Sequence, residues 1–186
     1  MSTVGIGLFC GANDSFSPQI LAAATSLGEG VAKRGWRVVY GGGQVGLMGR
    51  AARAAMDAGG EVIGVIPRSL VRAEIAASTI TELIRVETLA ERKAAMCDRA
   101  DAFVALPGGL GTIDELVEMM SWNYIGVHDK VTYVLNIDEF WTPLLDLFRH
   151  LDKNGALRPQ FHNTFHAVSD MPALFGALDR SFSQRG

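Results

Sequence analysis

The sequence is poor in the residues that mark metal sites, secretion and bilayer insertion. It holds two cysteines, Cys10 and Cys97, without metal or redox spacing, so we expect buried, reduced thiols in a cytoplasmic protein. Four scattered histidines predict no metal cluster. No lysine or arginine precedes Lys33, which argues against a signal peptide with a basic start. The longest uncharged stretch, Ser15 to Gly28, is too short to span a bilayer.

Excess positive charge is missing as well. The formal net charge of −3 argues against bulk affinity for nucleic acid or anionic lipid, so we expect a small-molecule partner. A hydrophobic content of 48% and a charged content of 20% over 186 residues are typical of one globular domain, residues 1–186.

Short apolar runs alternate with amphipathic helical patterns along the chain. This order predicts an α/β fold with a mostly parallel sheet, helices on both faces and ligands at the carboxyl ends of the strands. The predicted strands are residues 4–10, 36–40, 62–66, 82–86, 101–106, 131–137 and 165–168. The predicted helices follow Ser17-Pro18, open at the turn 41–49, span 88–100, follow Thr112, span 141–152 and begin at about residue 170.

The stretch from Ala105 to Trp122 carries the strongest functional pattern. An apolar strand meets Pro107, a run of glycines and Thr112, and a helix is predicted to follow. Such a loop presents free backbone N–H groups and the positive end of a helix, which together favour a phosphate. Glu115 is expected in the first turn of that helix, as either a capping charge or a catalytic group.

A second glycine-rich turn follows the second predicted strand. Gly41-x-Gly43-x-x-Gly46 formally matches the dinucleotide fingerprint. In that fingerprint, an acidic residue about 20 residues further on binds the ribose from the carboxyl end of the next strand. Glu61 has nearly this spacing but begins its strand, so it lies at the wrong end of the sheet to bind NAD. The turn serves either tight strand–helix packing or, through Gly42 and Gly43, a second surface facing phosphate or ribose. Gly-Lys-Ser/Thr does not occur in the sequence, which argues against nucleoside triphosphate hydrolysis.

Two cations lie in awkward places on the predicted helix 88–100. Its apolar face comprises Leu89, Ala94, Met96, Cys97 and Ala100. Lys93 falls in the middle of this face and Arg92 on its edge, so each needs a carboxylate, an anionic ligand or a path to solvent. Glu74 lies in the loop 68–79, which is predicted to cover the site and which holds few other charges.

Four segments, in order, resemble the LOG ("lonely guy") family of cytokinin riboside 5′-monophosphate phosphoribohydrolases. They are Phe9-Cys-Gly11, Tyr40-Gly-Gly-Gly-Gln-Val-Gly-Leu-Met-Gly49, Glu91-Arg-Lys-Ala-Ala-Met96 and Pro107-Gly-Gly-Leu-Gly-Thr-Ile-Asp-Glu115. The last matches the family's PGGxGTxxE signature. The resemblance runs from about residue 4 to Lys130, and the lysine decarboxylase label that older descriptions gave such proteins should be distrusted.

The resemblance implies a Rossmann-like, three-layer α/β/α fold, usually a homodimer. The implied reaction is hydrolysis of the N-glycosidic bond of an N6-modified AMP to free base and ribose 5-phosphate, without a metal or cofactor. Arg92 and Glu115 match the catalytic pair. The positions that match substrate-binding residues are Glu74, Lys93, Gly108, Gly109, Leu110, Gly111 and Thr112. Departures at Ala12 to Ser15 and at Thr88-Leu-Ala90 bear on the nucleobase that is accepted.

In the expected mechanism, Glu115 stabilises the positive charge that develops on the sugar and orients water, while Arg92 keeps Glu115 ionised. Three alternatives stay open: a general AMP or purine nucleotide ribohydrolase, a nucleotide-binding protein without chemistry, and a pyridoxal-phosphate decarboxylase. The last needs a Schiff-base lysine, and Lys93 is the plausible one among the four lysines.

Overall fold

Seven parallel strands form one sheet in the computed structural model, which describes residues 3–70 and 79–183. The strands are β1 Gly5–Phe9, β2 Arg37–Tyr40, β3 Glu61–Pro67, β4 Glu82–Val86, β5 Ala102–Ala105, β6 Thr132–Leu135 and β7 Phe165–Val168. The α-helices are α1 Pro18–Lys33, α2 Gly46–Asp57, α3 Leu89–Arg99, α4 Leu110–Tyr124, α5 Thr142–Lys153 and α6 Met171–Ser183. Short 3₁₀ helices lie at Arg68–Leu70, Ile137–Glu139 and Pro159–Asn163.

Local sequence explains where the first elements begin and end. The Ser17 side chain accepts a hydrogen bond from the backbone N–H of Ile20 at 3.3 Å, and Pro18 occupies the first position of α1. Gly35 and Gly59, which follow α1 and α2, adopt φ angles of 68° and 76° that disfavour other residues. The start of α1 and the ends of α1 and α2 therefore follow from residues that are visible in the sequence.

The strand order is β4-β3-β2-β1-β5-β6-β7. The chain therefore builds outward from β1 to β4 and then returns to place β5 on the other side of β1. Beyond the paired residues Phe9 and Ala105, the backbone N–H of Gly11 donates to the carbonyl of Pro107 at 3.0 Å. This reversal opens a crevice at the carboxyl ends of β1 and β5, the place where such sheets bind ligands.

The core forms two layers, one on each face of the sheet. Leu27 of α1, Leu47 of α2 and Leu178 of α6 pack in the layer on one face. Met96 of α3 and Met119 of α4 pack with sheet residues on the other, and α4 and α5 share a further apolar cluster there. Because helices cover both faces, the central strands are apolar throughout, as the continuous runs in the sequence indicated.

The predicted three-layer α/β class and every predicted strand are confirmed within a few residues at each end. One boundary is wrong. Helix α4 begins at Leu110, with Gly109 as its N-cap, so Glu115 lies in the second turn instead of the first. The predicted loop 68–79 begins with the 3₁₀ turn Arg68–Leu70, and the remainder up to residue 78, including Glu74, falls outside the described residues. Within the described ranges, none of the helices combines the length and hydrophobicity that crossing a membrane requires.

Candidate active site

A cleft of about 300 Å³ lies at the carboxyl ends of β1 and β5. Its walls come from four places in the chain: the end of β1 with the following loop, Met48 of α2, the first turns of α3, and the glycine turn with the first turns of α4. The sheet thus brings Gly11, Arg92 and Glu115 to one cavity, as the motif order predicted.

The turn between β5 and α4 exposes main chain to this cleft. A Cβ atom at Gly109 or Gly111 would meet no atom within 4 Å, so both backbones stay open to an approaching ligand. Gly108 instead lies against Thr112, which is buried and leaves no room for a side chain at residue 108. The amides of residues 110–112 precede the first backbone hydrogen bond of α4 and point out of its N-terminus, where they can bind a phosphate.

Leu110, the remaining residue of the turn 108–112, points its side chain away from the cleft. Its side chain is 86% exposed and does not line the cleft. Any contact of residue 110 with a substrate is therefore restricted to its backbone.

Arg92 and Glu115 form the charged centre of the cleft. An Arg92 Nη2 atom lies 3.8 Å from Glu115 Oε1, and the two side chains are only 8% and 15% exposed. Arg92 sits in the first turn of α3, whose N-cap Thr88 accepts a hydrogen bond from the backbone N–H of Glu91 at 3.1 Å. At this depth the two charges interact more strongly than a surface pair does.

The second-turn position of Glu115 bears on the two roles that the sequence left open. The favourable effect of a helix dipole on a carboxylate fades beyond the first turn. Glu115 also forms an ion pair with Arg92 of α3. Both observations favour a partly buried carboxylate of the cleft over a capping charge.

Helix α3 buries most of the predicted apolar face, including Met96, Cys97 and Ala100, but differs from it at Leu89 and Arg92. Arg92, placed on the edge of the apolar face by the helical projection, is buried together with Met96 and Cys97. Leu89, predicted to be core, is 54% exposed and lines the cleft. The predicted apolar face is wrong at Leu89 because this residue is the first of α3 and borders the open cleft instead of the core.

Lys93 borders the same cleft and is held by carboxylates of α4. Its Nζ atom lies 3.0 Å from Asp114 Oδ2 and also forms an ion pair with Glu118. Burial lowers the pKa of Lys93, but the hydrogen bonds that its ammonium donates to Glu118 and Asp114 outweigh that effect and the pKa is raised above its ordinary value. Lys93 is therefore an ammonium at neutral pH, unsuited to attack as a Schiff-base nucleophile.

The second glycine turn lies beside the cleft instead of lining it. Gly42, at φ 79°, is buried close to Ile66 and Leu83, and Gly43 borders a separate cavity of about 240 Å³ near α2. Gly41 is packed so closely against the Arg92 guanidinium that a Cβ there would overlap it. The structure thus brings together Arg92, Lys93, Gly109, Gly111, Thr112 and Glu115 but not Gly42 and Gly43.

Several residues that the sequence did not single out as site residues also line the cleft, among them Cys10, Met48 and Leu89. Burial raises the pKa of the Cys10 thiol well above its ordinary value, and the nearby Glu115 charge adds to this effect while Arg92 opposes it. Cys10 is the first residue after β1, so its place at the carboxyl edge was available from the predicted strand end. Within the described ranges, no group of His, Cys, Asp and Glu side chains could hold a metal ion.

Fold and cleft together define a Rossmann-like α/β protein with an open glycine turn beside a buried Arg–Glu pair. The family described as "possible lysine decarboxylase" matches residues 48–178. A probable cytokinin riboside 5′-monophosphate phosphoribohydrolase of Oryza sativa is 46% identical over 151 residues, 81% of this chain and 66% of that protein. Two further phosphoribohydrolases of this name, from Arabidopsis thaliana and Rhodococcoides fascians, are 44% and 38% identical over 94% and 93% of this chain, and over 82% and 88% of their own lengths.

The chain belongs to this family, the LOG family of cytokinin riboside 5′-monophosphate phosphoribohydrolases. Solved structures agree on the fold. A molybdenum cofactor binding protein from Rippkaea orientalis superposes with a TM-score of 0.75 at 22% identity, covering 98% of this chain and 99% of that one. The Moco carrier protein of Chlamydomonas reinhardtii gives a TM-score of 0.76 at 21% identity, with the same coverage. At such identities the likeness establishes the fold alone.

Proposed function

We propose that this protein hydrolyses the N-glycosidic bond of a cytokinin riboside 5′-monophosphate, an N6-modified AMP. The products are the free cytokinin base and ribose 5-phosphate. Membership of the phosphoribohydrolase family supports this reaction. The observation that carries the proposal is the buried Arg92–Glu115 pair beside an open glycine turn, because a charged pair and a phosphate site in one cleft suit a sugar phosphate.

Glu115 acts on the sugar in this proposal. As the bond between C1′ and N9 breaks, positive charge develops on the ribose ring, and a nearby carboxylate stabilises it. The hydroxyl of an attacking water adds to C1′, and the base leaves with the bonding electron pair and takes up a proton. A carboxylate that is only 15% exposed acts with less screening by solvent than one on the surface.

Arg92 holds Glu115 in its ionised form and donates to phosphate or ribose hydroxyl oxygens. A guanidinium suits this double task because its five N–H donors point in fixed, divergent directions. The amides of Gly109 to Thr112 anchor the 5′-phosphate, so binding energy far from C1′ positions the reacting carbon. Cys10, Met48 and Leu89 offer apolar contacts to the base and its substituent.

A decarboxylase with a Schiff-base lysine is disfavoured by the surroundings of the lysines. Lys93 is tied to Asp114 and Glu118 as a charged ammonium. Lys33 pairs with Glu29 on the exposed side of α1.

Exchange of Glu115 for glutamine tests the catalytic proposal. The wild type and Glu115→Gln are incubated with AMP and with isopentenyl-AMP, and free base and ribose 5-phosphate are separated by chromatography. We expect the wild type to release base from isopentenyl-AMP and the variant to do so about 10³-fold or more slowly, while still binding nucleotide in calorimetry. Glu29→Gln, on exposed α1, is the matched control and keeps wild-type activity. Near-normal turnover by Glu115→Gln contradicts the assignment.

The same assay separates the substrate classes. Preference for isopentenyl-AMP supports the cytokinin nucleotide, equal turnover of AMP indicates a general purine nucleotide ribohydrolase, and binding without product indicates a nucleotide-binding protein. If the glycine turn anchors a phosphate, the monophosphate has a kcat/KM on the order of 10²-fold above that of the riboside. Equal rates for the two contradict the phosphate anchor.

We also propose a cytoplasmic homodimer. Leu110 and Val117 lie seven residues apart on one face of α4 and are exposed, as is Ile125 after its end, so this face offers apolar surface to a second copy. The two free cysteines suit a reducing compartment. Light scattering after gel filtration tests the dimer, and Val117→Glu should shift the protein to monomer.

A further inference from the structure

Three charged side chains join helices α3 and α4 next to the catalytic pair. Lys93 of α3 contacts two carboxylates of α4, with Nζ 3.0 Å from Asp114 Oδ2 and an ion pair to Glu118. The Lys93 side chain is 13% exposed, so this ionic contact is shielded from solvent on most sides. It differs in this respect from the exposed Lys33–Glu29 pair on α1.

The positions of these residues match those of the catalytic pair. Lys93 follows Arg92 directly, and Asp114 directly precedes Glu115. Glu118 lies three residues beyond Glu115, so the two glutamates occupy neighbouring positions on the same side of α4. The ion pairs of Lys93 and of Arg92 therefore span the same gap between the same two helices.

Helices α3 and α4 each pack on the sheet, and charged side chains join them to each other beside the cleft. In the described part of the chain, no backbone hydrogen bond joins the two helices. Their shared apolar contact is the cluster of Met96, Cys97 and Met119, which lies further along both helices than the catalytic pair. At the cleft end, the ion pairs of Arg92 and Lys93 connect the two helices.

Taken with the proposed hydrolase function, on which this inference rests, the geometry points to Glu118 as a positioning residue. We propose that Glu118, assisted by Asp114, fixes Lys93 and thereby sets the distance between Arg92 on α3 and Glu115 on α4. Glu118 does not line the cleft and touches no reacting atom. Its effect on turnover passes through the relative position of the two helices.

The raised pKa of Lys93 agrees with this role. Burial alone lowers it, and the hydrogen bonds of Glu118 and then Asp114 reverse the effect, so the ammonium persists through the neutral range. The charge of Lys93 is met within the protein by these two acids. Attraction of the phosphate then depends more on Arg92 and the backbone amides of the glycine turn.

Steady-state kinetics with isopentenyl-AMP test the inference. We expect Glu118→Gln to lower kcat about tenfold or more and to change KM less than about threefold, because a misplaced pair loses catalysis before it loses the phosphate site. Lys93→Met should cause a comparable loss in kcat, and the double variant should be no more than about twofold worse than Lys93→Met alone. Asp114→Asn, at an exposed side chain, gives a smaller loss in the same direction.

Lys33→Met with Glu29→Gln is the matched control, an exposed ion pair of similar length, and should stay within about twofold of the wild type. Circular dichroism verifies that each variant is folded. A Glu118→Gln protein with wild-type kcat, or losses that simply multiply in the double variant, overturns the inference. The inference is also overturned if Lys93→Met raises only the KM for the monophosphate and Glu118→Gln leaves both kcat and KM unchanged.

A spectroscopic measurement separates this inference from the proposed function. The chain has four lysines, so a spectrum of protein with ¹⁵N-labelled lysine side chains is simple to assign. An ammonium held between carboxylates exchanges slowly, so Lys93 should give a visible signal in the wild type that Glu118→Gln abolishes. A signal that survives in Glu118→Gln overturns the positioning role whatever the activity. A wild type that shows the signal but releases no base from any nucleotide overturns the proposed function and the positioning role with it.

Discussion

Exchange of Gly41 for alanine should inactivate the enzyme without unfolding it. Gly41 follows β2 directly, and its α-carbon faces the Arg92 guanidinium. An added Cβ would overlap Nη2 and lie 2.7 Å from Cζ and 3.2 Å from Nε. Ordinary carbon contacts are about 3.5 to 4.0 Å, so the guanidinium must retreat by about 1 Å.

The size of the effect follows from where Arg92 can go. The guanidinium is enclosed on its Gly41 side and is already 3.8 Å from Glu115, so a retreat changes that distance directly. Displacement of a catalytic group by about 1 Å can cost about 10²-fold in rate. The added methyl group also overpacks a buried site and should lower the free energy of unfolding by about 1 to 3 kcal/mol.

The assay measures kcat/KM with isopentenyl-AMP and the free energy of unfolding in urea. Gly176→Ala is the matched control, since its Cβ would lie 3.5 Å from the nearest atom, Arg180 Nη1, an ordinary contact within α6. That variant should keep full activity and gain about 0.5 to 1 kcal/mol of stability. Activity of Gly41→Ala within about threefold of the wild type would refute the view that Gly41 makes room for Arg92.

Two further predictions concern pH and thiol chemistry. Burial, followed by the charge of Lys130, lowers the pKa of His128, whose Nδ1 accepts a hydrogen bond from the Lys130 backbone N–H at 3.1 Å. As the pH falls, the unfolded chain therefore takes up a proton at this histidine at a higher pH than the folded chain, so the free energy of unfolding should decrease below about pH 6.5. The variant His128→Gln should show a smaller decrease in Tm between about pH 7.5 and 5.5. An unchanged dependence of Tm on pH contradicts this role. Burial, then the Glu115 charge, raises the pKa of Cys10. The Cys10 thiol of the native protein at neutral pH should therefore react with iodoacetamide at least about tenfold more slowly than a free thiol. Mass spectrometry measures the labelling, and urea-unfolded protein is the control. Rapid labelling of Cys10 in the native state would show that the thiol is not enclosed.

The sheet was predictable because burial on both faces leaves a continuous apolar run in the sequence. Strands such as Phe165–Val168 and caps such as Ser17 follow from local chemistry and are confirmed. The start of α4 was missed because its N-cap is Gly109, which has no side chain to mark the boundary, whereas Thr112 has the hydroxyl that capping residues often carry.

The sequence indicated part of the cleft lining, including Arg92 and Glu115, but missed Cys10, Met48 and Leu89. A helical projection treats Arg92 as polar and moves it to the edge, because the carboxylate that meets it is on another helix and cannot be seen in the local pattern. The partners of Lys93 were hidden for the same reason, since Asp114 and Glu118 lie more than twenty residues away. The roles of Gly42 and Gly43 stay predictions, and Glu74 lies outside the described residues.

The central position of β1 in the sheet affects the order in which the nascent chain can form the cleft. β1 is among the first segments to emerge, yet its neighbour β5 is made only after β2, β3 and β4. Until β5 is synthesised, one edge of β1 has no partner strand, and the residues from Pro107 to Glu115 that contribute to the cleft are absent. The nascent protein therefore becomes able to bind nucleotide late and in one step, when β5 pairs with β1.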